Sequence, residues 1–344
     1  MRSTISFNGS TVNHQTFVLV GIPGMEERNS WMAFPLCLLY VLTLFGNVVI
    51  LFVIKTEQSL HEPMYLFLSI LACSDLGLAV STMPTMLGVY WFNSREISFN
   101  ACITQMFFIH LFQWLESGIL VAMAFDRFIA ICNPLRYSSL LQNSVIGKIG
   151  LAILARGFCV CFPAPFLIKR LPFCALNVLS HSYCLHQDMM KLACADTRVN
   201  MLYGLIIVIC TVCLDLVIIL VSYFLILQTV LSIASREGRS KALDTCVSHI
   251  CAILTFYVPM IGISAVHRFA RHLSPIVHMM MANIYIVVPP VLNPIIYSVK
   301  TQQIRQRILK MFQQNKFRSY LNNHLLSCLG VKIAGRGPPN CPAN

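Results

Sequence analysis

Long apolar runs separated by short polar segments dominate this chain. Seven of the runs are long enough to cross a bilayer, because a transmembrane helix needs about 20 apolar residues. Few charged residues fall inside them. The pattern therefore predicts seven membrane-spanning helices, over residues 31–54, 63–91, 97–131, 149–168, 199–234, 245–266 and 273–299.

The segment after the seventh run has a different period. Ile304, Ile308 and Phe312 recur every four residues among basic side chains, which predicts an amphipathic helix lying in the membrane interface over residues 300–316. The tail at 317–344 has the polar, Gly- and Pro-containing composition of a disordered segment. The predicted fold is an all-α membrane protein: a seven-transmembrane helix bundle with a short amphipathic eighth helix.

The composition supports a membrane protein and argues against a soluble domain. Hydrophobic residues make up 57% of the chain and charged residues only 11%, with a mean hydropathy of +0.71. Of the 25 Lys and Arg residues, 15 fall on the side of the C-terminus and 9 on the other. Positive charge favours the cytoplasm. This predicts an extracellular N-terminus (1–30), a cytoplasmic C-terminus, and a net charge of +12 directed at membrane lipid rather than nucleic acid.

The first 30 residues lack the apolar core of a cleavable signal peptide. We therefore expect the first span to act as its own insertion signal. Asn8-Gly9-Ser10 is a glycosylation sequon on the predicted extracellular side, which makes Asn8 a candidate glycosylation site.

Four of the 15 cysteines are predicted to lie on the extracellular face, where disulfides form: Cys102, Cys174, Cys184 and Cys194. Their spacing leaves all three possible pairings open. A metal site formed by His181, Cys184 and His186 is an alternative interpretation of this loop, but disulfide formation is the simpler one.

Carboxylates within the apolar runs need protons, hydrogen bonds or cations. Asp75 and Glu116 lie at depth, and Asn47 and Asn293 are expected nearby. We hypothesise a polar core site that holds Na⁺ or a proton, and the alternative is a purely structural network. Asp215 is a third buried acid to which the sequence assigns no role.

Adjacent Asp126 and Arg127 end the third apolar run, where charge is expensive unless it is paired or used. The pair suggests a switch in which Arg127 is held in one state and released to a partner in another. Arg127 is 25 residues from Cys102, about 38 Å of helix, so this helix connects both membrane surfaces. Pro294 permits a kink in the seventh run just before Tyr297.

Four sequence runs closely resemble the hallmarks of odorant receptors, a family of seven-helix G-protein-coupled receptors. The resemblance covers about residues 15–312, although Phe128 replaces the tyrosine more usual after Asp-Arg. The runs are LHEPMYLFLS (60–69), MAFDRFIAICNPLRY (123–137), KALDTCVSH (241–249) and NPIIY (293–297).

The resemblance implies roles for particular residues. It implies disulfides Cys102–Cys184 and Cys174–Cys194, which would hold the loop as a lid over the bundle, and it supports Asp75 and Glu116 as the cation pair. It also implies a set of switch and G-protein-coupling residues: Asp126, Arg127, Tyr223, Asn293, Pro294 and Tyr297.

The run His267-Arg268-Phe269 most resembles class I (fish-like) odorant receptors, particularly family 51, although Ala270 stands where glycine is usual. That branch is associated with polar ligands, including aliphatic carboxylic acids. A guanidinium suits capture of a carboxylate. We therefore expect Arg268 to bind an acid head group, unless it merely reaches toward lipid headgroups. The other candidate ligand contacts are His110, Gln187 and Ser264, with Phe107, Ile261 and Ile286 against an alkyl tail.

The implied function is a plasma-membrane receptor that binds a small odorant, activates a stimulatory olfactory-type G protein and raises cAMP. No resident cofactor is expected beyond the sodium ion. A metabolite sensor of the same fold in another tissue is equally compatible with these residues. An ion channel or transporter using Asp75, Glu116 and Asp215 is the rival from another class, but the chain shows no internal repeat. No nucleophile–base motif indicates an enzyme.

Overall fold

The computed structural model describes residues 16–21, 30–173, 177–269 and 274–313. Asn8, Cys174 and the tail at 317–344 lie outside these ranges, and of Arg268 only the backbone is described. The described helices, in chain order, are α1 (Ser30–Thr56), α2 (Pro63–Trp91), α3 (Phe99–Cys132), α4 (Tyr137–Leu140), α5 (Asn143–Cys161), α6 (Pro163–Lys169), α7 (His186–Lys191), α8 (Arg198–Ser232), α9 (Arg236–Phe269), α10 (Pro275–Lys300) and α11 (Gln302–Gln313).

The seven predicted spans form a helix bundle. Six spans are long and apolar enough to cross a membrane by length and composition: α1, α2, α5 continued by α6, α8, α9 and α10. The seventh is α3, a 34-residue helix whose polar side chains Gln105, Gln113 and Glu116 are buried inside the bundle. It packs against α2, α5, α8 and α9, so this span occupies the centre of the molecule.

Several helices extend beyond their apolar runs. Helix α9 begins at Arg236 rather than at the predicted residue 245, and α5 begins at Asn143 rather than 149. These added turns are polar, so hydrophobicity alone does not reveal them. Helix α11 lies within the predicted range 300–316. Proline stands at the first position of α2, where its missing N–H costs nothing.

A small β-sheet, absent from the predicted all-α fold, crosses one end of the bundle. Strand β1 (Thr16–Leu19) lies between β2 (Glu96–Ser98) and β3 (Val178–Leu179). It pairs antiparallel with β2 and parallel with β3. Strands of two to four residues are too short for a distinctive alternating pattern, so hydrophobic periodicity does not predict them.

The loop between α6 and α8 folds over the same end of the bundle, and we call its residues 177–197 the lid. The disulfide Cys102–Cys184 ties the lid to α3, with Cα atoms 5.4 Å apart, as predicted. Gln105, one turn further along α3, accepts a hydrogen bond from the backbone N–H of Cys184 at 2.9 Å. Cys194 is also disulfide-bonded, and its predicted partner Cys174 lies outside the described residues.

Candidate functional site

A cavity of about 870 Å³ lies beneath the lid, between α3, α5, α6, α8, α9 and α10. Three predicted ligand contacts, His110 of α3, Gln187 of α7 and Ser264 of α9, line it together. The fourth, Arg268, follows Ser264 by four residues on the same helix, so its backbone lies one turn away.

Most of the remaining wall is apolar. Trp114 of α3 and Leu205 and Val208 of α8 contribute to it. None of the three expected tail contacts lines the cavity. Phe107 packs against Phe108 and Phe158, Ile261 is 49% exposed, and Ile286 is buried in a separate cluster with α1 and α2. The apolar wall is instead supplied largely by α8, together with Trp114 of α3.

The lid contributes a polar roof to the cavity. His181, which lines the cavity, is hydrogen-bonded through Nδ1 to Asp188, and Lys191 Nζ donates to the same carboxylate at 2.9 Å. Burial alone would raise the pKa of Asp188, but the hydrogen bond and charge of His181, with the Lys191 ammonium, hold it below its ordinary value. Burial and the nearby His110 lower the pKa of His186 to about 4, so this ring is neutral at pH 7.

The alternative metal site in the lid is not formed. Cys184 is consumed in the disulfide, and the ring of His181 is engaged by Asp188. Among the described residues, no group of three or more His, Cys, Asp or Glu side chains is placed to hold a metal ion.

Asp75 of α2 and Glu116 of α3 are brought together by Asn293 of α10, as expected. The Asn293 amide nitrogen donates to both Asp75 oxygens at 3.2 and 3.1 Å and to Glu116 Oε1 at 3.1 Å. All three side chains are buried. The Asn293 carbonyl oxygen has no hydrogen-bond partner among the described residues, so the cluster offers oxygen ligands to a hard cation. The other expected amide, Asn47, bonds instead to the backbone carbonyl of Pro290 at 3.0 Å.

Asp215 has a role that the sequence analysis missed. Its carboxylate accepts two hydrogen bonds from Arg156, Nη1–Oδ1 at 2.8 Å and Nη2–Oδ2 at 2.5 Å. Ser117 also donates to it, and the Ser117 and Tyr257 hydroxyls lie 3.0 Å apart. The available signal was one arginine in the fourth span and one acid in the fifth, because isolated opposite charges in a membrane commonly pair. Since Arg156 neutralises Asp215, the rival interpretation of an ion path through Asp75, Glu116 and Asp215 is not supported.

At the end of α3 opposite the lid, Arg127 is held by its neighbour. Its Nε donates to Asp126 at 2.9 Å, and the Tyr137 hydroxyl donates to the other carboxylate oxygen at 2.8 Å. Asp126 is fully buried and Arg127 nearly so. The structure therefore has the held arrangement of the predicted switch.

Two other predicted switch residues, Tyr223 and Tyr297, lie near the same end of α3. Tyr223 of α8 is hydrogen-bonded to His249 of α9 at 2.8 Å, and the second ring nitrogen of His249 lies 3.1 Å from the carbonyl oxygen of Leu120 on α3. Tyr297 is fully buried in α10, near Met123. His249 was not among the predicted switch residues, although it lies in the run 241–249.

The bundle, with a cavity beneath the lid at one end and a buried Asp-Arg pair at the other, has a rhodopsin-like fold. Squid rhodopsin has the same fold, with a TM-score of 0.69, 15% identity, and coverage of 90% of this chain and 92% of that chain.

The chain belongs to the olfactory receptor family, whose model matches residues 36–315. Human olfactory receptor 51H1 is 62% identical over 300 residues, covering 87% of this chain and 99% of the relative. Human olfactory receptor 51G2 is 57% identical over 305 residues, covering 89% and 97%. The protein is thus a multi-pass membrane odorant receptor that acts through a G protein, and the resemblance noted in its motifs is confirmed.

Proposed function

We propose that this receptor binds a small carboxylic-acid odorant in the cavity beneath the lid and responds by activating a stimulatory olfactory-type G protein, which raises cAMP. The lid and N-terminus then face the exterior, and α11 and the C-terminus face the cytoplasm at the plasma membrane. The observation that carries the proposal is the two-sided cavity: polar His110, Gln187 and Ser264 on one part of the wall, and an apolar wall on α3 and α8.

The size and chemistry of the cavity suit such a ligand. A volume of about 870 Å³ lies in the range of small-molecule sites, which are mostly apolar with a few placed polar groups. Neutral imidazole, amide and hydroxyl groups donate hydrogen bonds to a carboxylate, and Arg268 would supply the balancing charge.

We propose further that Asp75 and Glu116, with Asn293, hold a sodium ion or a proton. Two carboxylates that share one amide donor repel each other unless a positive charge lies between them. The unpartnered Asn293 oxygen within the described cluster adds a ligand suited to Na⁺. Release of that charge would accompany movement of α10, which carries Asn293, Pro294 and Tyr297.

A cAMP reporter assay tests the function. Cells expressing the receptor are exposed to straight-chain acids, alcohols and aldehydes of matched length, and the account expects acids to be the most potent class. Arg268→Ala is expected to raise the half-maximal acid concentration by about 100-fold or more, because hydrogen bonds to charged groups contribute about 1.5–3 kcal/mol each. At concentrations that activate the wild type, the acid response is therefore abolished.

The matched control is Arg198→Ala, at an exposed arginine of the lid end that does not line the cavity. It is expected to respond like the wild type. Surface expression of each variant is measured in the same cells. An unchanged acid dose–response in Arg268→Ala would contradict the ligand assignment, and alcohols outranking acids would contradict the ligand class.

A further inference from the structure

Strand β1 occupies the central position of the sheet at the lid end. Its two neighbours come from different loops: β2 precedes α3, and β3 belongs to the lid. If β1 were removed, no strand would link β2 to β3. The N-terminal segment therefore joins the two loops that close this end of the bundle.

The backbone of β1 bonds to both loops in turn. Val18 donates to the carbonyl oxygen of Asn177 at 2.9 Å, on the lid side. Leu19 donates to the carbonyl oxygen of Arg95 at 2.7 Å, on the β2 side. Because successive N–H groups of a strand point in opposite directions, the two attachments can be removed separately.

The side chains of β1 bind the sheet to the bundle. Phe17 is fully buried, with its ring centroid 5.7 Å from that of Phe99 at the start of α3 and 5.6 Å from that of Phe173 before the lid. Leu19 is buried in the same apolar cluster as the Cys102–Cys184 disulfide. These contacts fix where the strand lies relative to α3.

The strand reaches the ligand cavity through one lid residue. Just beyond β1, the N–H of Val20 donates to the carbonyl oxygen of His181 at 3.3 Å. The His181 side chain lines the cavity and is bonded to Asp188 of α7. Two other cavity residues, Gln187 and Lys191, belong to that same short helix.

We infer that β1 is a positioning element of the ligand cavity: by holding residues 177–181 it fixes His181 and, through Asp188, the α7 side chains that form the cavity roof. The ligand part of this inference rests on the function proposed above. Loosening β1 on its lid side should weaken ligand binding while leaving the Asp126–Arg127 end of the bundle intact.

Val18→Pro tests this inference, because proline suits extended backbone but lacks the N–H that bonds to Asn177. Its control is Thr16→Val, which changes an exposed side chain of the same strand and leaves every backbone bond in place. Three quantities are measured for each receptor. The cAMP assay gives the half-maximal acid concentration and the ligand-independent cAMP level. Hydrogen–deuterium exchange without ligand is measured across residues 177–191 and 119–132.

In Val18→Pro we expect an increase of about tenfold in the half-maximal concentration, faster exchange across residues 177–191, and wild-type exchange across residues 119–132. Ligand-independent cAMP should be unchanged, which a general folding defect would not allow. Thr16→Val should match the wild type in every measurement. If Val18→Pro fails to reach the surface, Phe17→Leu keeps the backbone, trims only the aromatic contacts, and should give about a threefold increase.

The exchange measurement separates this inference from the proposed function. If no acid activates the wild type, the ligand assignment fails, and faster exchange of the lid in Val18→Pro still supports the positioning role. Unchanged exchange across residues 177–191 in Val18→Pro overturns the inference whichever ligand is active.

Discussion

Three of the buried acids in the described part of this receptor are paired with basic neighbours. Asp126 is matched by Arg127, Asp188 by Lys191 and His181, and Asp215 by Arg156. Sequence alone located Asp126, Arg127 and Asp215 as charges at unfavourable depth, but not the Asp188 cluster of the lid. It did not predict the Arg156–Asp215 pair, because the pairing depends on which faces of α5 and α8 turn toward α3.

Removal of one charge from the Arg156–Asp215 pair should destabilise the bundle. Asp215→Asn leaves Arg156 without its counter-charge, and breaking a buried pair costs roughly 3 kcal/mol. The melting temperature of the detergent-purified receptor is expected to fall by about 5 °C or more. Asp196→Asn, in an exposed pair with Arg198 at 3.8 Å, should leave it unchanged. Equal melting temperatures for Asp215→Asn and the wild type would show that the Arg156–Asp215 pair contributes no stability.

The buried ring of His186 makes stability depend on pH. Its pKa falls from the ordinary 6.5 to about 4 on folding, so the unfolded chain binds more protons between these values. Stability is therefore complete above pH 6.5 and decreases as the pH falls toward 4, by roughly 2 kcal/mol at pH 5. Between pH 7 and pH 5 the melting temperature should fall further for the wild type than for His186→Gln. An equal fall in both would contradict the lowered pKa of His186.

The helices of the bundle follow directly from the hydrophobic pattern, whereas their contacts depend on individual small residues. At Gly46 of α1, an added Cβ would lie 2.9 Å from Cβ of Pro294 in α10. The neighbouring Asn47 bonds to the carbonyl of Pro290. Helices α1 and α10 thus meet beside the predicted kink, a contact that no periodicity in the sequence indicates.

Gly46→Ala should therefore disturb the α1–α10 contact. Overpacking of this kind typically costs about 1–3 kcal/mol, which outweighs the helix propensity that alanine adds. The control is Gly147→Ala in α5, where an added Cβ meets nothing within 4 Å; that variant should melt at or slightly above the wild-type temperature. A Gly46→Ala receptor as stable as Gly147→Ala would contradict the packing of α1 against Pro294.

Along its 34 residues α3 contributes to four polar sites in turn. His110 lines the ligand cavity, Ser117 and Glu116 join the two buried carboxylate clusters, and Arg127 is held at the opposite end. The fold and most members of these clusters were predictable, because the sequence shows how far along each apolar run a polar residue lies and how polar residues are spaced. The lid sheet and the apolar cavity wall were not, since both arise from short or distant segments brought together only by folding.

In the proposed function, ligand capture beneath the lid moves the far end of α9 away from α3, to which His249 joins it at the Leu120 carbonyl oxygen. This movement is tested most directly by spin-label distances between Leu135→Cys, after α3, and Leu243→Cys in α9, both exposed positions. The background receptor has its free cysteines replaced and retains an acid-evoked cAMP response. The account predicts a longer distance when an activating acid is added, and no change in the same receptor carrying Arg268→Ala. An unchanged distance in the acid-bound, signalling receptor would contradict it.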